Sequence, residues 1–180
     1  SPALHITNFN QTKTDYEKHM SEYHFSNAIK TLSDYFWNDF CNMYLEISKQ
    51  YIQFDNTKKI LILLISKILR MYHPFVPFIT EELWGYNRKY LGNISESIMD
   101  YSWPENFIID ANPNEIKKAK NFIDLVCKIR SIKKKQHDEL KLVLKEDNAI
   151  FVTDNINLLK SLVKINNIVI THDSNVEEVL

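Results

Sequence analysis

The sequence predicts a mainly α fold: a helical bundle followed by a small β-β-α-β appendage. Three observations lead there. Apolar residues recur at steps of three and four through most of the first 135 positions. Only 2 of the 180 residues are glycine, against about 7% in average chains. Strict alternation of apolar and polar residues begins only near Leu140.

Each element follows from local pattern. Ala3 to Glu22 is expected to be a helix with a loose apolar stripe of Ile6, Phe9, Tyr16 and Met20. Ser26 is expected to cap a second helix reaching Gln50, with Ala28, Ile29, Leu32, Phe36, Phe40, Met43 and Ile47 on one face. Asp55 to Tyr72 is apolar almost all round, as suits a helix at the centre of a bundle. It stops at His73-Pro74, because proline pushes its predecessor out of the helical region. Pro77 opens the next helix, which Gly85 or Gly92 ends. Residues 93–107 read as a loop. Asn112-Pro113-Asn114-Glu115 reads as N-cap, N1, N2 and N3 of a helix running to Lys135. Beyond it, strands are expected at Leu140 to Lys145, Ala149 to Thr153 and Ile168 to Ile170. A short helix capped by Asp154 should precede the last. The domains expected are a bundle over residues 1–136 and an appendage over 137–180.

Composition excludes some chemistry. Two glycines seven residues apart cannot build a P-loop or a dinucleotide fingerprint. Cys41 and Cys127 lie far apart and read as reduced, buried thiols of a cytoplasmic protein. The longest apolar stretch, Ile60 to Tyr72, contains Lys67 and Arg70 and is too short for a bilayer. The chain holds 22 Ile, 19 Lys and 18 Asn against 5 Ala and 3 Arg, a bias matching AT-rich codons.

The net charge of −1 hides an uneven distribution. Residues 113–136 carry eight Lys or Arg against Glu115 and Asp124, whereas residues 137–180 carry four Lys against eight acids. Lys117, Lys120, Lys128 and Lys135 share one side of the predicted helix, with Asp124 among them. Such a stripe suits phosphates, and equally suits a solvated face.

Catalytic constellations are not expected. Glu81 and Glu82 are adjacent, so on a helix they diverge by about 100°. They suit the positive start of the helix at Pro77. His19 and His24, five apart, fall on different faces of a helix, and the other histidines are scattered. No metal and no cofactor are expected, and no serine sits in a nucleophile elbow.

Three segments carry a resemblance. They are Phe25-Ser26-Asn27-Ala28 with Phe36 to Glu46, then Ile68 to Trp84, and then Ser97-Ile98-Met99 with Trp103-Pro104-Glu105. Their order and spacing resemble the anticodon-binding region of the valyl-tRNA synthetases, a class I aminoacyl-tRNA synthetase family. The resemblance covers residues 4–135. Asn42 stands where the family usually has Asp. The family's His-x-Gly-His and Lys-Met-Ser-Lys-Ser signatures, which handle ATP in a separate catalytic domain, do not occur. A cut-out piece lacking the bundle's first helix is therefore expected.

The resemblance implies an antiparallel bundle that holds the anticodon stem-loop of a valine tRNA. The parent would attach valine using ATP and Mg²⁺ in its catalytic domain, alongside an editing domain. A monomer with no membrane contact is implied. The phosphate contacts expected are Lys117, Lys120, Lys128 and Lys135, with Arg130, Lys133 and Lys134 at the end of the stripe. Arg70 is a second candidate, or else pairs with Glu81 or Glu82. Phe75, Phe78, Leu83, Trp84, Trp37 and Phe40 are expected in the core. The alternatives are a helical protein-interaction module, or the same module from an isoleucyl or leucyl enzyme.

Overall fold

The computed structural model describes residues 2–92, 95–132, 139–144 and 146–172. By packing they fall into two compact units, one spanning Leu4–Ile109 and one beginning at Asp110. The packing thus divides at residue 109, not at 136, and the basic helix groups with the C-terminal residues.

In the first unit, α1 (Pro2–Ser21) buries Ile6, Phe9 and Tyr16, as its stripe requires. The Tyr16 hydroxyl is buried and donates to the Met71 carbonyl at 2.9 Å. That bond fastens α1 to α4 (Asp55–Tyr72), whose Leu61, Leu64, Ile68 and Met71 fill the centre of the core. The second helix begins as α2 (Phe25–Asp34), with His24 and not Ser26 at the N-cap. It continues as a π-helix over Tyr35–Leu45 and ends as α3 (Glu46–Lys49). The π segment bonds i to i+5, which rotates its residues away from a 3.6 period. After Leu32 and Tyr35 the buried residues are Phe40, Met43, Tyr44 and Ser48. Trp37, expected in the core, is 62% exposed: five residues past Leu32 and two past Tyr35, it stands on the far side of the helix from the buried face.

α5 (Pro77–Leu91) starts at its proline and ends at Gly92, whose φ of 81° only glycine adopts freely. Gly85 serves no such purpose. Thr80, Trp84 and Asn87 form the buried face, with Trp84 packed on Leu69, Ile98 and Tyr101. A flanking face, about 100° round the helix, carries Ile79, Leu83, Tyr86 and Tyr90, all exposed, and Phe78 is 92% exposed. Phe78 and Leu83 were expected inside, but α4 offers α5 only one side. Phe40 and Trp84 are buried as expected, and Phe75 is partly buried against the core.

The loop after α5 is held by side chains from the bundle. Glu81 accepts from the Ile98 N–H at 3.2 Å and the Ser97 hydroxyl at 3.3 Å. Trp103 stacks on Tyr16 and donates its indole N–H to Glu17 at 2.6 Å. Asn10 grips both backbone groups of Phe107, at 2.9 Å each. The Ser-Ile-Met and Trp-Pro segments are therefore architectural.

His5 gives a pH expectation. It is buried at 2% exposure beside Asp39, 4.0 Å away, and burial foremost lowers its pKa to about 4. The folded chain thus holds a neutral imidazole where the unfolded chain binds a proton. Stability is expected to fall by up to about 3 kcal/mol as pH drops from about 6.5 to about 4. Asp39, raised by burial, acts in the opposite sense at the acid end. Urea midpoints across that window should decline less in His5→Phe. An identical decline would reject the assignment.

The second unit contains α6 (Pro113–Ile132), β1 (Glu139–Leu144), α7 (Glu146–Asp154), α8 (Ile156–Val163) and β2 (Asn167–His172). Asn112 caps α6 as expected, accepting from the Asn114 N–H at 2.9 Å. β1 and β2 pair in parallel, Leu142 opposite Ile170. The order is β-α-α-β, because residues 149–153, expected as a strand, lie in α7. Ala149 and Val152 are buried at helical spacing. A parallel pair also requires a long crossover, which the two helices supply. The cap of α8 is Asn155, not Asp154. The core here is Val126, Ile129, Leu142, Leu159, Leu162 and Val163. Among the described residues no helix is long and apolar enough to cross a membrane.

Candidate nucleic-acid interface

α6 is amphipathic in the literal sense. Phe122, Leu125, Val126 and Ile129 face the core of the C-terminal unit. Lys117, Lys120 and Lys128 are exposed, with Asp124 also exposed among them. The expected stripe thus exists as an accessible face over the described part of the helix. Lys133, Lys134 and Lys135 lie outside the described residues.

The two arginine candidates are placed differently. Arg130 is partly buried and directs Nε and Nη2 at the Leu162 carbonyl, at 3.0 and 2.8 Å. This charged fork closes the last turn of α8, where helix carbonyls lack partners. Arg70 donates to the Ser102 carbonyl at 2.8 Å and to Ser66 at 3.3 Å. Burial lowers its pKa. It therefore anchors the loop before Trp103 and does not pair with Glu81, which is engaged by Ile98 and Ser97. Both arginines have geometric tasks inside their own units.

Beside the lysine face lies a cleft of about 340 Å³. Phe122, Leu125, Leu144, Phe151 and Val152 form its apolar lining. The Phe122 and Phe151 rings meet edge to face, 6.0 Å apart. Lys118, Asn121, Asp124, Lys128 and Asn148 stand around it. Cys127, expected buried, is exposed here. A slot with aromatic walls and amide and carboxylate groups at its edge can hold a planar ring and bond its polar edge. Lysines alongside can meet phosphates. Lys118, Asn121 and Asn148 were not singled out from the sequence. Their convergence depends on α7 being a helix, and the alternating reading of residues 149–153 concealed it.

The class is defined by the sequence. The family of anticodon-binding domains of tRNA ligases matches over residues 5–147, and the chain belongs to that family. Its sequence is similar to the valine–tRNA ligase of Picrophilus torridus, at 32% identity over 96% of this chain and 22% of that protein. It is also similar to the valine–tRNA ligases of Petrotoga mobilis (29% identity, 91% of this chain, 20% of that protein) and Pelagibacter ubique (30%, 88% and 19%). The chain spans about a fifth of the length of these relatives.

Proposed function

We propose that this chain holds the anticodon stem-loop of a valine tRNA. It would support the ATP-dependent attachment of valine by catalytic and editing parts of a valine–tRNA ligase, acting as a monomer in the cytoplasm. ATP and Mg²⁺ belong to the catalytic step, and this chain's residues contribute tRNA selection. The observation that carries the reading is the exposed lysine face of α6 beside an aromatic cleft, in a member of the anticodon-binding family. Lys117, Lys120 and Lys128 would contact phosphates. An unstacked loop base would enter the cleft against Phe122 and Phe151, with Asn121, Asp124 and Asn148 bonding its edge.

The test compares binding of a valine tRNA transcript with the same transcript carrying another anticodon, at near-physiological salt. A correctly read base contributes about 1–3 kcal/mol, so the swap should cost about 5- to 150-fold in affinity. Equal affinity for both transcripts would reject anticodon reading. A protein-interaction module is the second reading, favoured by the exposed apolar face of α5. It predicts no tRNA binding at any moderate salt.

A further inference from the structure

The turn between α1 and α2 brings together residues that sequence spacing separates. His19 and His24 would lie on different faces of one continuous helix. The helix instead ends at Ser21, and Tyr23 takes the left-handed conformation at φ 60°. The His24 N–H donates to the His19 carbonyl at 2.8 Å, and the Tyr23 N–H to the Met20 carbonyl at 3.1 Å. This pair of bonds is a Schellman motif, which folds the chain back over the last helical turn. His24 then receives the N–H groups of Asn27 and Ala28, both at 3.0 Å, and starts α2. Backbone bonds therefore fix both histidines from two helices.

The two imidazole rings end 6.3 Å apart, and Glu22 reaches within 3.3 Å of the His24 Nδ1. One ligand atom from each of His19, Glu22 and His24 lies within 4.8 Å of the other two. The His19 Nδ1 is enclosed and has no hydrogen-bond partner. Around a tetrahedral zinc ion, with bonds of about 2.0–2.2 Å, ligand atoms sit about 3.3 Å apart. Side-chain rotation alone closes that gap, since the Glu22 and His24 side chains are 45% and 58% exposed.

We infer that His19, Glu22 and His24 form a binding site for a divalent transition-metal ion of the zinc type, clipping the end of α1 to the start of α2. Two imidazoles and one carboxylate suit zinc and exclude magnesium and calcium, which take oxygen ligands. The fourth position faces solvent and takes water. The site does not depend on the tRNA reading, because it draws on neither the α6 lysines nor the cleft.

Zinc chloride alone, titrated into the chain in chelator-free buffer, tests the site by calorimetry, with melting temperature and histidine ring NMR shifts as second readouts. Saturable binding of one ion per chain is expected, with a raised melting temperature and shifts at His19 and His24. Loss of a ligand should weaken binding by at least about tenfold in each of His19→Ala and His24→Gln. His24→Gln changes a half-exposed side chain, so it separates metal loss from misfolding; far-UV circular dichroism checks both variants. Absence of saturable binding up to about 100 μM zinc would overturn the site. So would undiminished affinity in both variants.

Discussion

Replacing Trp84 with alanine is expected to destabilise the N-terminal unit by about 3–5 kcal/mol. The indole is fully buried, packs on Leu69 and Ile98, and lies 4.9 Å from the Tyr101 ring. Its loss would leave a cavity between α5 and the Ser97–Ser102 loop, which Glu81 of α5 and Arg70 of α4 hold in place. The Trp84 indole N–H has no hydrogen-bond partner. Trp84→Phe therefore sacrifices volume but no polar bond, and should lose clearly less stability than Trp84→Ala. Urea unfolding of both variants checks this, read as midpoint shifts at constant slope. A loss under about 1 kcal/mol for Trp84→Ala would refute the packing role.

The second large effect is on RNA binding. With Lys117, Lys120 and Lys128 changed together to alanine, the plot of log affinity against log salt should flatten by roughly 2–3 units. Each phosphate contact contributes about 0.7–0.9. The three side chains are exposed, so folding stability should stay within about 0.5 kcal/mol of the parent. The anticodon-swap ratio should change little, because phosphate contacts position the loop and do not read it. Replacing Asn121 with alanine should do the reverse, narrowing the ratio with little change in slope. An unchanged slope in the triple variant would clear the stripe of phosphate contact.

Local signals carried much of the architecture. The α4 end, the α5 start, the Asn112 cap and the stripe of α1 were all legible, because each depends on a proline, a capping side chain or a 3.6 period. The misplacements have separate causes. Trp37 is apolar but stands five residues past Leu32 and two past Tyr35, so the helical period itself turns it away from the core. Leu83 sits on a regular stripe with Ile79, Tyr86 and Tyr90, but a stripe says that a face is apolar and not whether a partner covers it; Phe78, five residues before Leu83, lies off that stripe. Residues 149–153 are short and apolar enough for either strand or helix, and the parallel pairing of β1 with β2 decided between them. The lysine face was readable from charge and period. The cleft beside it was not, since Asn148 and Phe151 reach it only through α7. The histidine pair was hidden by the left-handed Tyr23, a non-glycine residue in a conformation the sequence does not advertise.

The parallel pairing of β1 with β2 also bears on the order in which the chain is made. Glu139 finds its partner only when Asn167 exists, and Leu144 only when His172 does. On a ribosome adding about 5–20 residues per second, β1 would wait roughly 1–6 seconds for β2. During that time its backbone edge is open and α6 has no completed core to cover Val126 and Ile129. The N-terminal unit suffers no such delay, because its last anchor, Phe107, is synthesised before α6 begins. Synthesis thus completes the packing of the N-terminal unit first, and that of the unit carrying α6 only after β2 has emerged.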